Sequence, residues 1–183
     1  MYLNDADIRP SLIEFLNSKS QKPRRILQEL HVHRGNAIAD VVTVHSEAHC
    51  YEIKGDKDKI DRLARQGDYY NKVFSKITLV TTERKLKEAL DKIPAFWGVI
   101  VAYDMKGVVK FRHIRKISTN PLFDKELALA TLWKSELTNV NDELNLDIPA
   151  KTNKRDFALG LAERMSKIQT NRWIAESLVS RMA

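Results

Sequence analysis

Two carboxylates and a lysine, Asp40, Glu52 and Lys54, fall within fifteen residues of one another. Hard divalent cations take oxygen ligands, and Mg²⁺ commonly uses one or two carboxylates, with waters and substrate phosphate completing its shell. An ion held by Asp40 and Glu52 could activate water and offset charge on a phosphorane-like transition state. A lysine beside two carboxylates has its pKa raised. Lys54 is therefore expected to be charged, orienting the attacking water or stabilising charge rather than acting as a free-amine base. The chemically silent alternative is an ion pair at the edge of a sheet, with Lys54 neutralising Glu52 or Asp40.

The elements that must position these groups are β-rich. Residues 37–45 (AIADVVTVH) and 49–55 (HCYEIKG) read as two strands joined by a tight turn through Ser46, Glu47 and Ala48. Glu52 and Lys54, two apart, project from one face. A turn centred on residue 46 sets Asp40 opposite Glu52, where Cβ atoms lie roughly 5 Å apart. Ile38, Val41, Val42, Tyr51 and Ile53 around them are apolar, so the charges sit on an otherwise buried strand pair. Buried charge needs a partner or a metal.

A helix is predicted over 57–74, its apolar stripe running through Ile60, Leu63, Ala64, Gly67, Tyr70 and Phe74, with Asp56 or Asp58 as its cap. Arg62, Gln66 and Tyr70 are spaced i, i+4, i+8 and share a face. Tyr70 also fits the core stripe. Gln66 is harder to place in a core, because a buried amide demands several hydrogen bonds.

On these residues the chain resembles the PD-(D/E)XK nuclease superfamily. Asp40 matches its first acidic position, Glu52-Ile53-Lys54 its ExK motif, and Gln66-Gly67-Asp68-Tyr69-Tyr70 the Gln-x-x-x-Tyr motif of the RecB-like branch. More narrowly, YEIKGDKDKIDRLARQGDYYNKVFSKITLVTT is similar to a family of small bacterial and phage proteins with an EIKSD-type run and a helical tail. The resemblance covers residues 24–82 well and the rest loosely. It implies that Asp40 and Glu52 are metal ligands for Mg²⁺ or Mn²⁺, joined by the backbone carbonyl of Ile53, and that Lys54 is catalytic. It also implies that Glu29 adds a ligand, and that Gln66 and Tyr70, with Arg62 beside them, buttress the site or contact DNA. Glu29 reads equally as a surface carboxylate beside Arg24 or Arg25. Ala39 stands where the motif name has proline, and Gly55 where the narrow family often has serine, a change expected to be minor.

The remaining pattern predicts helices at 5–19 and 83–93 and strands at 76–82, 97–104 and 108–114. Residues 25–32 form a short element whose type the pattern leaves open. After Pro121 three amphipathic helices are predicted, 124–139, 154–167 and 170–182. The expectation is an α/β fold, a restriction-endonuclease-like mixed sheet flanked by helices over residues 1–120, with a helical C-terminal region over 121–183.

Hydrophobic residues make up 43% and charged residues 30% of the 183, a globular balance that argues against disorder. No apolar run reaches the ~18 residues of a membrane span, and MYLNDADIRP lacks the features of a secretory signal. A single cysteine, Cys50, excludes an internal disulfide framework and fits a reducing cytoplasm. Nine basic and nine acidic residues cancel in 121–183, so the whole net charge of +7 lies in the first 120 residues. Such a field concentrates nucleic acid without sequence preference. His31, His33, His45, His49 and Cys50 lack zinc-type spacing, and His45 and His49, flanking a turn, are expected at the surface. Cys50 lacks the context of a thiol nucleophile, and no phosphate-binding glycine loop is present. Trp97, Trp133 and Trp173 are expected in core or interface packing. The expected activity is metal-dependent hydrolysis of phosphodiester bonds in DNA, with RNA open as a substrate. The alternative is a catalytically inactive nucleic-acid-binding or adaptor protein with the same fold. The neutral tail suits packing, a homodimer contact or a protein partner.

Overall fold

A computed structural model describes residues 2–181. In chain order the elements are α1 (Asp5–Asn17), β1 (Arg25–Val32), β2 (Ala37–Val44), β3 (Ala48–Lys54), α2 (Asp61–Val73), β4 (Lys76–Thr82) and α3 (Glu83–Leu90). There follow β5 (Gly98–Met105), β6 (Val108–Arg115), α4 (Lys125–Leu129), α5 (Lys134–Leu144), α6 (Lys154–Arg164) and α7 (Lys167–Ser180). The six strands form one mixed sheet in sequential order. β1, β2 and β3 are an antiparallel meander, β3, β4 and β5 run parallel through the α2 and α3 crossovers, and β6 returns antiparallel along β5. The fold is thus mixed α/β with C-terminal helices, and the undecided segment 25–32 is the edge strand β1. Among the described residues no helix is long and apolar enough to cross a membrane.

Side-chain alternation divides the sheet between two apolar clusters. On one face α1 lays Ile8, Leu12 and Leu16 over Val41, Tyr51, Ile53, Val80 and Ile100. On the other, Val42, Val44, Cys50, Ile77, Leu79 and Val99 pack with α2, α3 and the tail. The tail therefore shares a core with the sheet: Phe157, Leu161, Ile174 and Leu178 belong to the same cluster. Polar straps fix it as well. Arg24 forms a two-pronged ion pair with Glu176 (2.8 and 2.7 Å), and Asn120 bonds the carbonyls of Asn71 and Phe74 at the end of α2, both at 2.7 Å.

Several boundaries differ from the sequence pattern, each for a local reason. The helix predicted over 57–74 begins at Asp61, because both candidate caps serve the loop before it. Asp58 accepts the Gly55 N–H (2.7 Å), while Asp56 accepts the Leu3 N–H (2.8 Å) and the Thr82 hydroxyl (2.7 Å). The helix predicted over 124–139 is two helices, α4 and α5, parted at residues 130–133. There the Trp133 N–H is taken by the Glu136 carboxylate (2.6 Å), which opens a new helix running on to Leu144. The last helix starts at Lys167 rather than 170, because Ser166 and Gln169 bond each other's backbone N–H in a capping box. Residue 182, the end of that predicted helix, lies outside the described residues.

Trp97 is fully buried, as expected, and its indole N–H donates to Asn71 Oδ1 (2.7 Å). Trp173 packs partly buried against the same cluster. Trp133 lies outside the core: it is 57% exposed, because it closes the break between α4 and α5 instead of lying on a helix face. His45 and His49 are half-buried rather than exposed. His49 bonds Thr78 Oγ1 (2.8 Å) and stacks on Tyr51, and burial pushes its pKa down to about 3.

Gly55, directly after β3, is also more constrained than its sequence context suggests. A Cβ there would lie 2.6 Å from the Leu3 carbonyl oxygen and 2.8 Å from Asn4 Cα. The N-terminal segment crosses the end of β3 in contact with that glycine, and the Asp56 N–H bonds the Leu3 carbonyl (2.8 Å). Gly55→Ser is expected to lower unfolding stability by about 1–3 kcal/mol, as overpacking against backbone does. Urea denaturation of the two proteins measures this, and an unchanged midpoint would contradict it.

Candidate functional site

The site begins where β2 and β3 part. Their ladder runs from Val44↔Ala48 to Val41↔Tyr51, the register expected from the turn. One step further Asp40 does not continue as a plain cross-strand pair with Glu52. Its Oδ2 instead accepts the Ile53 N–H (2.8 Å), so a side chain stands where a ladder carbonyl would be. Cys50, Glu52 and Lys54 share the α2 side of β3 by alternation. Glu52 is 1% and Lys54 9% exposed, and the Lys54 ammonium is ion-paired with Glu52 Oε1. The other oxygen, Glu52 Oε2, is buried without a hydrogen-bond partner among the described residues.

Burial sets the electrostatics. It pushes the Glu52 carboxyl up to about 7, with the Asp40 charge adding to the rise and Lys54 opposing it. Burial also raises the Asp40 carboxyl, against the Ile53 N–H and Lys54. For Lys54, burial works against the charge but is outweighed by Glu52 and Asp40, so its pKa is raised and it stays an ammonium. Asp40, Glu52 and Lys54 are thus brought together closely enough to set one another's protonation.

Glu29 lies on β1 opposite Asp40 of β2, between the pairs Gln28↔Val41 and Leu30↔Ala39. Its backbone is left-handed (φ 53°) and its side chain is 71% exposed. Its partner is neither Arg24 nor Arg25 but Arg9 of α1. The Arg9 guanidinium reaches Glu29 (3.3 Å), Asp40 (3.3 Å) and Asp5 (2.9 Å). Sequence reasoning missed Arg9, since nothing in its neighbourhood links position 9 to position 40. Its one local signal is the i, i+4 spacing from Asp5, which reads as an ordinary helix pair.

Tyr70 is fully buried, and its hydroxyl donates to the Ile38 carbonyl (2.7 Å). It lies beside Glu52, and burial together with that carboxylate raises its pKa. It serves the core and the site at once. Gln66 and Arg62 line a cavity with Lys54, so the shared α2 face does point at the site, with Tyr70 at its buried end. Thr81, on β4, donates to the Lys54 carbonyl (2.9 Å) and fixes the backbone there. Cys50 is buried with its pKa well raised.

Among the described residues no three His, Cys, Asp or Glu side chains converge as a metal cage. Asp40 and Glu52 offer carboxylate oxygens, the donor type hard cations take, and among the described residues Glu52 Oε2 has no hydrogen-bond partner. The chain's own cations, Arg9 and Lys54, supply the compensating charge.

The linkage has a definite sign. A carboxyl whose folded pKa lies above its unfolded value binds extra protons when folded, so stability falls as pH rises from about 4.5 through 7. For Glu52 this amounts to about 3 kcal/mol. His49, with a lowered pKa, acts oppositely, and its contribution is lost as pH falls below 6.5. Carboxyl ¹³C titration is therefore expected to show a midpoint near pH 7 that is missing in Glu52→Gln. A midpoint below 5 would exclude this electrostatic description.

No solved structure matches the chain significantly. The chain is 24% identical over 180 residues to "Protein cII" of Enterobacteria phage P4, an alignment covering 98% of this chain and 68% of that protein. The family described as "Bacteriophage P4 protein cII" matches residues 1–181, and the chain belongs to that family.

Proposed function

We propose that this protein is a metal-dependent nuclease that hydrolyses phosphodiester bonds in DNA, a divergent relative of the PD-(D/E)XK superfamily. The observation that carries the proposal is the Asp40 carboxylate set into the gap between β2 and β3, beside a buried Glu52 with an unpartnered oxygen and a charged Lys54. Asp40 and Glu52, with the Ile53 carbonyl, would hold Mg²⁺ or Mn²⁺. Bound there, the ion supplies Lewis-acid polarisation of the phosphate and a water of lowered pKa.

The protein's own residues do the rest. Lys54 stays protonated between two carboxylates and presents an ammonium to the charge that develops on the phosphoryl oxygens. Its motion is limited by the Glu52 ion pair and by the Thr81 bond to its carbonyl. Tyr70 holds β2 at Ile38, one turn of the pleat from Asp40. Glu29 joins the site only after Arg9 releases it, so in the resting state it serves as an anchor for Arg9. Gln66 and Arg62 contact the DNA backbone.

A second reading has its own support. Arg9 and Lys54 already neutralise the carboxylates, as in a nucleic-acid-binding or adaptor protein that keeps the fold without the chemistry. In either case the setting proposed is the cytoplasm of a bacterial host, with the tail available to a second copy or a protein partner.

The test is cleavage of plasmid and single-stranded DNA with Mg²⁺ or Mn²⁺. Asp40→Asn and Lys54→Ala are each expected to lower the rate by at least about 100-fold, the scale of a lost catalytic group. Activity unchanged in either variant would defeat the assignment. Calorimetry separates the second reading: an inert site shows no divalent binding that depends on Glu52. Competition between DNA and RNA of one sequence settles the nucleic-acid class.

A further inference from the structure

A cavity of about 360 Å³ adjoins the carboxylate pair, lined by Lys54, Lys57, Asp58, Lys59, Arg62 and Gln66. Four cations face one anion, and that anion is already committed: Asp58 accepts the Gly55 N–H (2.7 Å), and its own N–H bonds the Gly55 carbonyl (3.1 Å). Among the described residues Lys57, Lys59 and Arg62 have no ion-pair partner, and the Gln66 amide has no hydrogen bond. Other long cations are held in ion pairs, as at Arg24–Glu176, Arg34–Glu126 and Lys76–Glu47.

The loop that carries the two lysines is held in place. Asp56, just before Lys57, is tied to Leu3 and to Thr82, and Asp58 closes the turn between Lys57 and Lys59. Ile60, which follows, is fully buried. Acids and bases alternate along residues 56–62, but Asp56 and Asp61 do not line the cavity, so an anion bound there meets Lys57, Lys59 and Arg62 together. Lys54 belongs to both places, its ammonium paired with Glu52 and its side chain forming one wall of the cavity.

We infer that this cavity is a phosphate subsite, taking a backbone phosphate of the nucleic-acid strand next to the one presented to Asp40 and Glu52. Its position next to the scissile phosphate rests on the nuclease assignment; the anion site itself does not. Lys57, Lys59 and Arg62 supply the charge, and the Gln66 amide adds a neutral donor.

Binding of a fluorescein-labelled 16-nucleotide DNA single strand, followed by anisotropy in EDTA across a salt series, tests this on the full chain. Lys57→Ala/Lys59→Ala is expected to raise Kd about tenfold at 0.1 M salt and to lower the salt slope by about 1–2. Lys57→Arg/Lys59→Arg should stay within about twofold of the parent. Lys87→Ala/Lys106→Ala, which removes the same charge from exposed positions elsewhere, sets the background. A pocket variant that weakens binding no more than this control, or that keeps the parent's salt slope, overturns the subsite. No metal is present, so the outcome does not depend on catalysis. A chain that binds in this way but never cleaves refutes the nuclease assignment and leaves the subsite standing.

Discussion

The constraint on which this structure depends is the burial of a carboxylate at the end of a central strand. Glu52 is almost wholly removed from solvent, a position that costs several kcal/mol for an ionised group unless charge and hydrogen bonds compensate. Much of the neighbourhood answers that cost. Lys54 is ion-paired with one oxygen, Tyr70 packs alongside, and Asp40 is turned toward the Ile53 amide rather than squarely at its fellow acid. Arg9 arrives from the opposite layer to compensate the Asp40 side. The compensation is incomplete, since one Glu52 oxygen has no partner. Charge is thus balanced at the site while hydrogen bonding is not, which leaves a single buried acceptor open beside a paired ammonium.

That arrangement needs the two halves of the sheet to separate locally. The β2–β3 meander ends its regular pairing at Val41↔Tyr51, while β3 continues parallel to β4 through Lys54↔Thr81. β3 is therefore held on one side and free on the other, and the free side receives the Asp40 carboxylate. The N-terminal segment completes the enclosure by crossing the end of β3 at Gly55, where only a missing side chain allows the approach. α1 follows directly and brings Arg9 and Asp5 to the opening. The tail closes the far face through the shared core, and among the described residues it contributes no side chain to the carboxylate pair.

The sheet's strands and the stripe of α2 were legible because they follow from periodicity: alternation in β2 and β3, i, i+4 spacing in α2. The pairing of Asp40 with the Glu52 region was legible too, since one turn fixes a whole register. Less visible were features set by single contacts. Asp56 and Asp58 look like caps for α2, but their acceptors serve Leu3, Thr82 and Gly55. Residues 124–139 carry an unbroken amphipathic pattern, yet the chain breaks at 130–133, exposing Trp133. Propensity and spacing describe a residue's neighbours along the chain, and these outcomes were decided by neighbours across it.

By itself, then, the order of residues determined which side chains could share a strand face or a helix face, because those periods are built into the backbone. It determined a mixed α/β architecture and the charged, chemically apt character of Asp40, Glu52 and Lys54. Only the tertiary structure decided that Arg9, thirty-one positions away, bridges Asp40 and Glu29. It alone decided that Asp40 enters the gap between strands and that Lys57 and Lys59 of a pinned loop meet Arg62 of α2 around one cavity, none of them ion-paired among the described residues. The reason is physical: such contacts depend on how helices and loops settle over the sheet, which is governed by the summed packing of the whole core and has no repeat along the sequence.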